Sequence, residues 1–124
     1  MDVIDETFLA VPPATVASAF ADPGAWRRFW PDLRLAVYAD RGDEGLRWTV
    51  GGALVGTMEV WLEPVLDGTV LHYFLRADLP PGATARRGRL ARERTRRQLA
   101  AKSVALDLKA VLEDGRRPGC PPGN

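Results

Sequence analysis

The chain has few of the side chains on which catalytic and metal sites depend. Its 124 residues include one cysteine, one histidine and two serines. A nucleophilic triad needs Ser, Thr or Cys beside a base that a third group orients, but Ser18 and Ser103 both lie in helical patterns with no nucleophile motif around them. One histidine and one cysteine cannot supply the ligands of a usual zinc site. We therefore predict neither a triad nor a metal centre, and no catalytic residue is identified.

The chain also lacks the features of secreted, membrane and dinucleotide-binding proteins. Cys120 is alone, so no intramolecular disulfide can form. No apolar run approaches the roughly 18 residues that cross a bilayer, and the acidic start MDVIDE has the wrong charge for a signal peptide. The glycines of VGGALVG lack the spacing of a dinucleotide-binding loop. We expect a cytoplasmic protein without cofactor or stable membrane insertion, with one domain over residues 1–114 and a disordered Gly/Pro-rich tail over residues 115–124.

What the sequence does contain is a clear order of strand and helix signals. Residues 3–11 indicate a first strand, and two short helices are predicted at residues 14–21 and 25–30, each next to a proline. Two further strands are indicated around residues 33–38 and 46–50. The run GTMEVWLEPVLDGTVLHYFLRADL (residues 56–79) then predicts a hairpin, because Asp67-Gly68 lies between two alternating apolar segments.

A long amphipathic helix ends the domain. Apolar residues recur there at three- and four-residue spacing, which is typical of a helix that buries one face; they are Ala101, Val104, Ala105, Leu108, Val111 and Leu112. The fold class predicted from this order is α+β, with a curved antiparallel sheet of about five strands wrapped around the C-terminal helix and two short helices after strand 1. An apolar cavity between sheet and helix would make this arrangement a binding cup.

Charge is divided unevenly along the chain. Residues 1–83 carry twelve acids against six arginines, whereas residues 84–124 carry eleven basic residues against four acids. We expect the two parts to attract each other. Most of the positive charge lies in RRGRLARERTRR (residues 86–97), which is either a patch for an acidic ligand or lipid, or a solvated helix start that pairs in part with the acidic strands. No aromatic residue is interleaved with these arginines, so we do not predict nucleic-acid binding.

The same segments carry a resemblance to a known family. PPATVASAF, DPGAWRRFWPDL and EVWLEPVLDGTVLHYFLRADL, in this order before a long terminal helix, resemble the polyketide cyclase/dehydrase and lipid-transport family of the START-like helix-grip superfamily (SRPBCC). The chain is a shortened form, since the family commonly has six or seven strands, and its Arg-to-Lys ratio of 15 to 2 is compatible with an actinobacterial origin. The resemblance implies a cavity between the sheet and the last helix, with its mouth near the two short helices.

The candidate ligand-binding residues follow from this implied cavity. Trp26, Phe29 and Trp30 lie in the second short helix, at the implied lid, although they equally suit a plug for a small core. The other candidates point inward by strand alternation or lie on the helix stripe; they are Leu35, Trp48, Tyr73, Leu75 and Ala101, with Arg94 and Arg97 near the mouth, where they are suited to hold a carboxylate or enolate. Tyr73 is in addition a weak acid, and either Asp5 or Glu6 points inward.

A second candidate surface is the outer face of the sheet. If Tyr73 and Leu75 point inward, alternation sends Trp61, His72 and Phe74 outward. Two large aromatics on adjacent strands in a polar frame usually mark an interface. These three residues are therefore the predicted interface of a possible homodimer.

Three functions remain open from the sequence. The first is binding of a hydrophobic or amphipathic small molecule, lipid- or polyketide-like, between the sheet and the C-terminal helix. The second, implied by the resemblance alone, is a cyclase or dehydratase that uses acid and base groups in the cavity. The third is a dimeric interaction protein with a filled cavity. A closed apolar pocket of several hundred Å³ would favour the first, inward ionisable groups the second, and a filled core the third.

Overall fold

The computed structural model describes residues 1–83 and 86–113. This part of the chain forms five strands, three helices and a 3₁₀ turn, which are β1 (Asp2–Leu9), α1 (Pro13–Ala21), α2 (Pro23–Phe29), β2 (Leu33–Asp40), the 3₁₀ turn (Gly42–Glu44), β3 (Gly45–Gly52), β4 (Val55–Val65), β5 (Gly68–Asp78) and α3 (Arg89–Glu113). The predicted α+β class and the predicted strand number are confirmed. The predicted tail at residues 115–124, with Cys120, lies outside the described residues.

The five strands form one antiparallel sheet in the order β1-β5-β4-β3-β2. Strands β2 to β5 follow one another as a meander, and β1 pairs with β5, with Asp5 opposite Tyr73. Burial alternates along each long strand, as expected for a sheet with one covered face. The inner face carries the core residues of the sheet, among them Val3, Trp48, Met58, Val60, Leu62, Leu71, Tyr73 and Leu75.

The predicted hairpin between β4 and β5 is present, but its turn lies one residue earlier than the Asp-Gly signal. Val65 pairs with Gly68, so the two turn residues are Leu66 and Asp67. Leu66 is 97% exposed and has φ of 53°, in the left-handed region that favours glycine. Gly68 belongs instead to β5, where an added Cβ would collide with the Leu9 carbonyl oxygen and the Phe8 ring. The close approach of β1 therefore requires a glycine at position 68. The turn position with positive φ is occupied by Leu66, whose backbone is strained there.

Helix α3 packs its inner stripe against the sheet, with one correction to the prediction. Ala101, Ala105 and Leu108 are buried and Val104 and Leu112 are partly buried, whereas Val111 is 72% exposed. At 3.6 residues per turn, Val111 lies about 80° from the centre of the buried stripe, which carries it past the contact with the sheet.

Long side chains of α3 also cover the free edge of β1. Four of them donate hydrogen bonds to alternate backbone carbonyls of this strand, namely Arg94 to Asp2 at 3.1 Å, Gln98 to Ile4 at 2.7 Å, Lys102 to Glu6 at 3.0 Å and Lys109 to Phe8 at 2.9 Å. Because these carbonyls already have donors, the β1 edge is closed to a further strand. Lys102 Nζ also lies 3.0 Å from Asp5 Oδ1, so the basic helix meets an acidic residue of β1 here.

Helix α2 begins two residues earlier than predicted. Asp22 is its N-cap, and Asp22 Oδ1 accepts a hydrogen bond from the Gly24 amide at 2.9 Å. Pro23 occupies the first helical position, where its fixed φ and missing N–H cost nothing. This cap places the aromatic residues of α2 against the core.

Candidate functional site

Aromatic rings fill the space between the sheet and α3. The Trp30 ring stacks on Tyr73 at a centroid distance of 6.0 Å and on Phe20 at 6.4 Å, and it meets Trp48 edge-on at 5.9 Å. The void lined there by Tyr73 and its neighbours measures about 10 Å³, which is room for at most one water molecule. At this position between the sheet and the C-terminal helix, the described residues leave no ligand-sized cavity, because these rings occupy the space.

The predicted ligand-binding residues consequently separate into different environments. Those in the packed core are Trp30, Trp48, Tyr73, Leu75 and Ala101. Phe29 packs against the core with its ring 5.8 Å from that of Phe20. Trp26 and Leu35 are partly buried nearer the surface, and the Trp26 indole nitrogen donates to the Phe20 carbonyl at 2.7 Å. Of the aromatics predicted at a lid, Trp26 is the one whose ring borders a ligand-sized pocket described below.

Arg97 is a buried structural cation. Its side chain is 5% exposed, and its guanidinium donates two hydrogen bonds to Asp32, at 3.0 and 2.6 Å, and one to Glu93 at 2.9 Å. The Arg97 hydrogen bonds lower the pKa of Asp32 against the opposing effect of its partial burial. Burial alone would raise the pKa of Glu93, but hydrogen bonds from Arg96 and Arg97 outweigh it and lower the pKa. The predicted ligand-holding Arg97 therefore already has two carboxylate partners, and Arg94 is committed to the β1 edge.

The inward acid and base groups have no room for a substrate. Burial raises the pKa of the Tyr73 hydroxyl, an effect that nearby Arg97 only partly offsets, so Tyr73 stays protonated at neutral pH. Asp5 is the inward acid of β1, and its carboxylate lies 3.0 Å from Lys102 Nζ and accepts a hydrogen bond from Thr7 at 3.1 Å. Asp5 and Tyr73 share the void of about 10 Å³. At this position the cyclase alternative has acid groups but no space for an organic molecule.

A pocket of ligand size lies elsewhere, between α1 and the 3₁₀ turn. Its volume is about 400 Å³, and it is partly open to solvent. We call it the α1 groove. Its lining residues are Ala14, Ala17, Ser18, Phe20, Ala21 and Trp26 from the two short helices, and Val37, Asp40, Gly42, Asp43, Gly45, Leu46, Val60 and Leu62 from the strands and the 3₁₀ turn.

The groove is built from an apolar floor, a wall of small side chains and a polar rim. Leu46, Val60 and Leu62 form the floor, because they are buried inner-face residues of β3 and β4 that border the groove. The wall is the face of α1 on which small residues recur at three- and four-residue spacing, so the helix backbone leaves open space. Asp40 and Asp43 line the groove and are exposed to solvent, so they belong to its rim. An apolar interior with a few polar groups at one side is typical of small-molecule sites.

A bulge in β2 brings Asp40 to this rim. Val37 of β2 lies opposite Trp48 of β3, and the register shifts at Tyr38. After this shift, Ala39 lies opposite Arg47 and Asp40 lies opposite Leu46. Because of this extra residue, the side chains after the bulge point to the opposite face from the one that strict alternation predicts. Strict alternation from Leu35 and Val37 would have put Asp40 on the outer face, which is why the sequence pattern did not find it.

The outer face of the sheet carries an aromatic stack. Trp61 and His72 are cross-strand neighbours with rings 4.3 Å apart, and Phe74 lies parallel to His72 at 6.2 Å. His72 is 7% exposed, with Nε2 3.0 Å from a Glu63 oxygen and Nδ1 3.3 Å from a Glu6 oxygen. The structure thus brings the three predicted interface residues together on one face and packs the histidine between its neighbours.

In residues 1–83 and 86–113, no group of three or more His, Cys, Asp or Glu side chains is arranged to hold a metal ion. No helix in the same residues combines the length and apolar character needed to cross a bilayer.

Known structures decide the fold. SSP2350 from Staphylococcus saprophyticus is 18% identical, with a TM-score of 0.67 and 93% of each chain covered. CalU16 from Micromonospora echinospora is 14% identical, with a TM-score of 0.64 over 92% of this chain and 76% of that one. The Aha1 dimer from Colwellia psychrerythraea is 14% identical, with a TM-score of 0.62 over 94% and 99% of the two chains. This is the helix-grip fold. In sequence, no protein family and no curated protein matches the chain.

The filled void and the α1 groove lie at different parts of the inner face of the helix-grip fold. Its sheet wraps around the last helix, and here that contact is packed solid by Trp30 and Tyr73. A different part of the inner face, at the start of β3 and the second half of β4, faces α1 across the groove. Four residues that border the α1 groove were not among the site residues predicted from the sequence; they are Leu46 and Val60 on the floor and Asp40 and Asp43 at the rim.

Proposed function

We propose that this protein binds a small, largely apolar molecule in the α1 groove. The observation that carries the proposal is the volume of about 400 Å³ over a floor of Leu46, Val60 and Leu62. Pockets that bind small molecules start at roughly 300 Å³ and are lined mostly by apolar side chains. The groove therefore suits a ligand at the small end of that range. Membership of the polyketide cyclase/dehydrase and lipid-transport family, an actinobacterial origin and a cytoplasmic location stay predictions from the sequence.

The groove is expected to accept a ligand without rearrangement of the core. The aromatic cluster lies behind the floor, and the Trp26 indole is held by its hydrogen bond to the Phe20 carbonyl at 2.7 Å. Its ring meets that of Trp48 edge-on at 5.5 Å, which fixes this wall of the site. Opening the interior void would instead require Trp30 to leave its contacts with four other rings, those of Phe20, Phe29, Trp48 and Tyr73. Ligand binding in the groove thus requires a smaller structural change than ligand binding in the interior void.

The test is a titration with a neutral eight-carbon probe, 1-octanol, followed by methyl NMR. We expect saturable shifts of the Leu46, Val60 and Leu62 methyl signals. Ala17→Leu fills the groove from the α1 wall and should weaken binding by about tenfold or more, since a leucine side chain displaces part of the probe from its apolar contacts.

The matched control is Ala110→Leu, the same change on the exposed face of α3. It should leave the titration unchanged. The proposal fails if the floor methyls do not respond to 1-octanol, or if Ala17→Leu binds as well as the wild-type protein.

A second candidate function is self-association through the outer face of the sheet. Trp61 and Phe74 are half-buried there and Ile4 is 57% exposed, next to Phe74 in the adjacent strand. The strand register makes the face self-complementary. A twofold axis between His72 and Phe74 would place Arg76 of one copy near Glu63 of the other, and Phe74 near the other Trp61. A similar structure, the Aha1 protein from Colwellia psychrerythraea, is a dimer, which is compatible with this candidate.

Sedimentation velocity tests the dimer. Burial of one large aromatic contributes roughly 1.5–3 kcal/mol before the costs of association, so Trp61→Ser/Phe74→Ser should shift any dimer to monomer. Leu99→Ser/Val111→Ser removes two other exposed apolar residues, on α3, which are 67% and 72% exposed. This control should sediment as the wild type does. A wild-type protein that is monomeric at high micromolar concentration would remove the candidate.

A further inference from the structure

The α1 groove has a charge as well as an apolar floor. Of its fourteen lining residues, all within the described part of the chain, two are acidic and none is basic. The carboxylates of Asp40 and Asp43 lie at the rim, while Leu46, Val60 and Leu62 lie at the bottom. A ligand that fills this site has its apolar part inside and its polar end beside two negative charges.

The rim carboxylates are not neutralised by the protein. Among residues 1–83 and 86–113, neither Asp40 nor Asp43 has a cationic group within ion-pair distance. The nearest basic residue in sequence is Arg41, whose nitrogens are 3.1 Å from Glu59 and 3.6 Å from Glu44. Arg41 is therefore engaged with the outer face and does not line the groove. Asp40 Oδ1 accepts one backbone hydrogen bond, from Gly42 at 2.9 Å, which leaves its charge in place.

We propose that the α1 groove selects a cationic amphiphile, an apolar group that carries an amine protonated at neutral pH. This inference rests on the proposed binding function and adds the ligand class. An ammonium group at the rim gains attraction to both carboxylates, and the apolar chain gains burial on the floor. A carboxylate at the same place is repelled, and an alcohol has no net charge interaction. Charge at the rim of a site decides between ligands with the same apolar part.

The test compares three probes with the same eight-carbon chain by calorimetry: octylammonium, 1-octanol and octanoate. The ammonium group forms two water-exposed charge pairs, one with Asp40 and one with Asp43, so octylammonium should bind about tenfold more tightly than 1-octanol. Octanoate, which is repelled, should bind most weakly. The preference shrinks in about 0.5 M salt, because the Debye length falls well below its value of about 10 Å at 0.1 M.

Asp40→Asn/Asp43→Asn is the decisive variant. Asparagine keeps an oxygen that can accept the Gly42 hydrogen bond, so the turn is retained while both charges are lost. The variant should bind octylammonium and 1-octanol equally. Glu44→Gln removes one negative charge from the 3₁₀ turn that also contains Asp43, at a residue that does not line the groove, and should keep the preference.

The possible results separate the inference from the proposed function. Binding of 1-octanol with no preference for octylammonium, tighter binding of octanoate, or a preference that survives Asp40→Asn/Asp43→Asn overturns the inference and leaves the groove as a neutral apolar site. Absence of binding by all three probes overturns both.

Discussion

The buried Arg97 cluster should couple α3 to the segment between α2 and β2. Arg97 is 5% exposed and its two hydrogen bonds to Asp32 are 3.0 and 2.6 Å long. Asp32 precedes β2 directly, and its backbone carbonyl accepts a further hydrogen bond from Ala53 at 3.0 Å. The pair therefore ties the C-terminal helix to two loops beside the aromatic cluster. We expect its loss to destabilise the whole domain.

The magnitude follows from burial on each side of the pair. Breaking a buried ion pair typically costs 3–5 kcal/mol, and a hydrogen bond to a charged group contributes about 1.5–3 kcal/mol. The Asp32 side chain is 37% exposed and keeps a 3.4 Å contact with Arg96, so it is rehydrated when Arg97 is removed. We therefore expect Arg97→Met to lower the free energy of unfolding by about 2–3 kcal/mol and Asp32→Asn by about 1.5–3 kcal/mol.

A double-mutant cycle by urea denaturation measures the coupling between the two residues. We expect about 1.5–3 kcal/mol for Asp32 and Arg97, at the upper end of values for residues in direct contact. The pair of Asp2 and Arg76 is the control, because its side chains are 61% and 84% exposed at 3.3 Å separation and such pairs contribute about 0–1 kcal/mol. A coupling for Asp32 and Arg97 no larger than that of this surface pair would refute the reasoning.

Three further predictions concern acid stability, the hairpin turn and the basic segment. The pKa values of Asp32 and Glu93 are lowered in the folded state from ordinary values of 3.8 and 4.5. The stability that their ionised carboxylates contribute is therefore complete above about pH 4.5 and is lost as the pH falls through the folded pKa values. In acid titrations, Arg97→Met should lose less of its free energy of unfolding than the wild-type protein does. Leu66→Gly should raise the free energy of unfolding by about 0.5–1 kcal/mol in urea melts, since it relieves the left-handed backbone and loses no burial; an unchanged or lower value would contradict the strain. Residues 86–97 should give no sub-micromolar binding to single- or double-stranded nucleic acid at about 150 mM salt, measured by fluorescence anisotropy, and a tight complex there would overturn the prediction.

Much of the fold follows from local patterns in the sequence. Alternation along β4 and β5 is enough to separate Val60 and Tyr73 on the inner face from Trp61 and Phe74 on the outer face, because a side-chain period of two is a property of any strand. The helix stripe likewise identifies Ala101 and the residues around it. Even here the exact position of the turn depends on a neighbouring strand. The turn lies at Leu66 and Asp67, because β1 approaches the backbone of Gly68 too closely for a side chain and Gly68 belongs to β5.

The candidate site could not be located in the same way. The sequence identified Trp30 and Tyr73 as aromatic and inward-facing, but an inward aromatic either lines a cavity or fills it, and only the packing distances of about 6 Å between their rings show that it is filled. The sequence also left open whether the inward-facing arginine binds a ligand or pairs with an acid of the protein. Arg97 faces inward as the helix stripe indicated, and whether it is free for a ligand depended on the position of Asp32, a residue 65 positions away in the chain.

Strand β2 shows where sequence information ends for this protein. The composition and periodicity of residues 33–40 determine that a strand forms and that Leu35 and Val37 lie on its inner face. They do not determine that the chain gains one residue against β3 after Val37, because that register depends on how β3 is held by β4. The bulge turns Asp40 from the outer face to the rim of the groove, and the short α1 helix, which presents small residues, leaves the space above the floor open. Local periodicity thus determined the elements and their buried faces, whereas the position and charge of the pocket were decided by contacts between strands and helices distant in sequence.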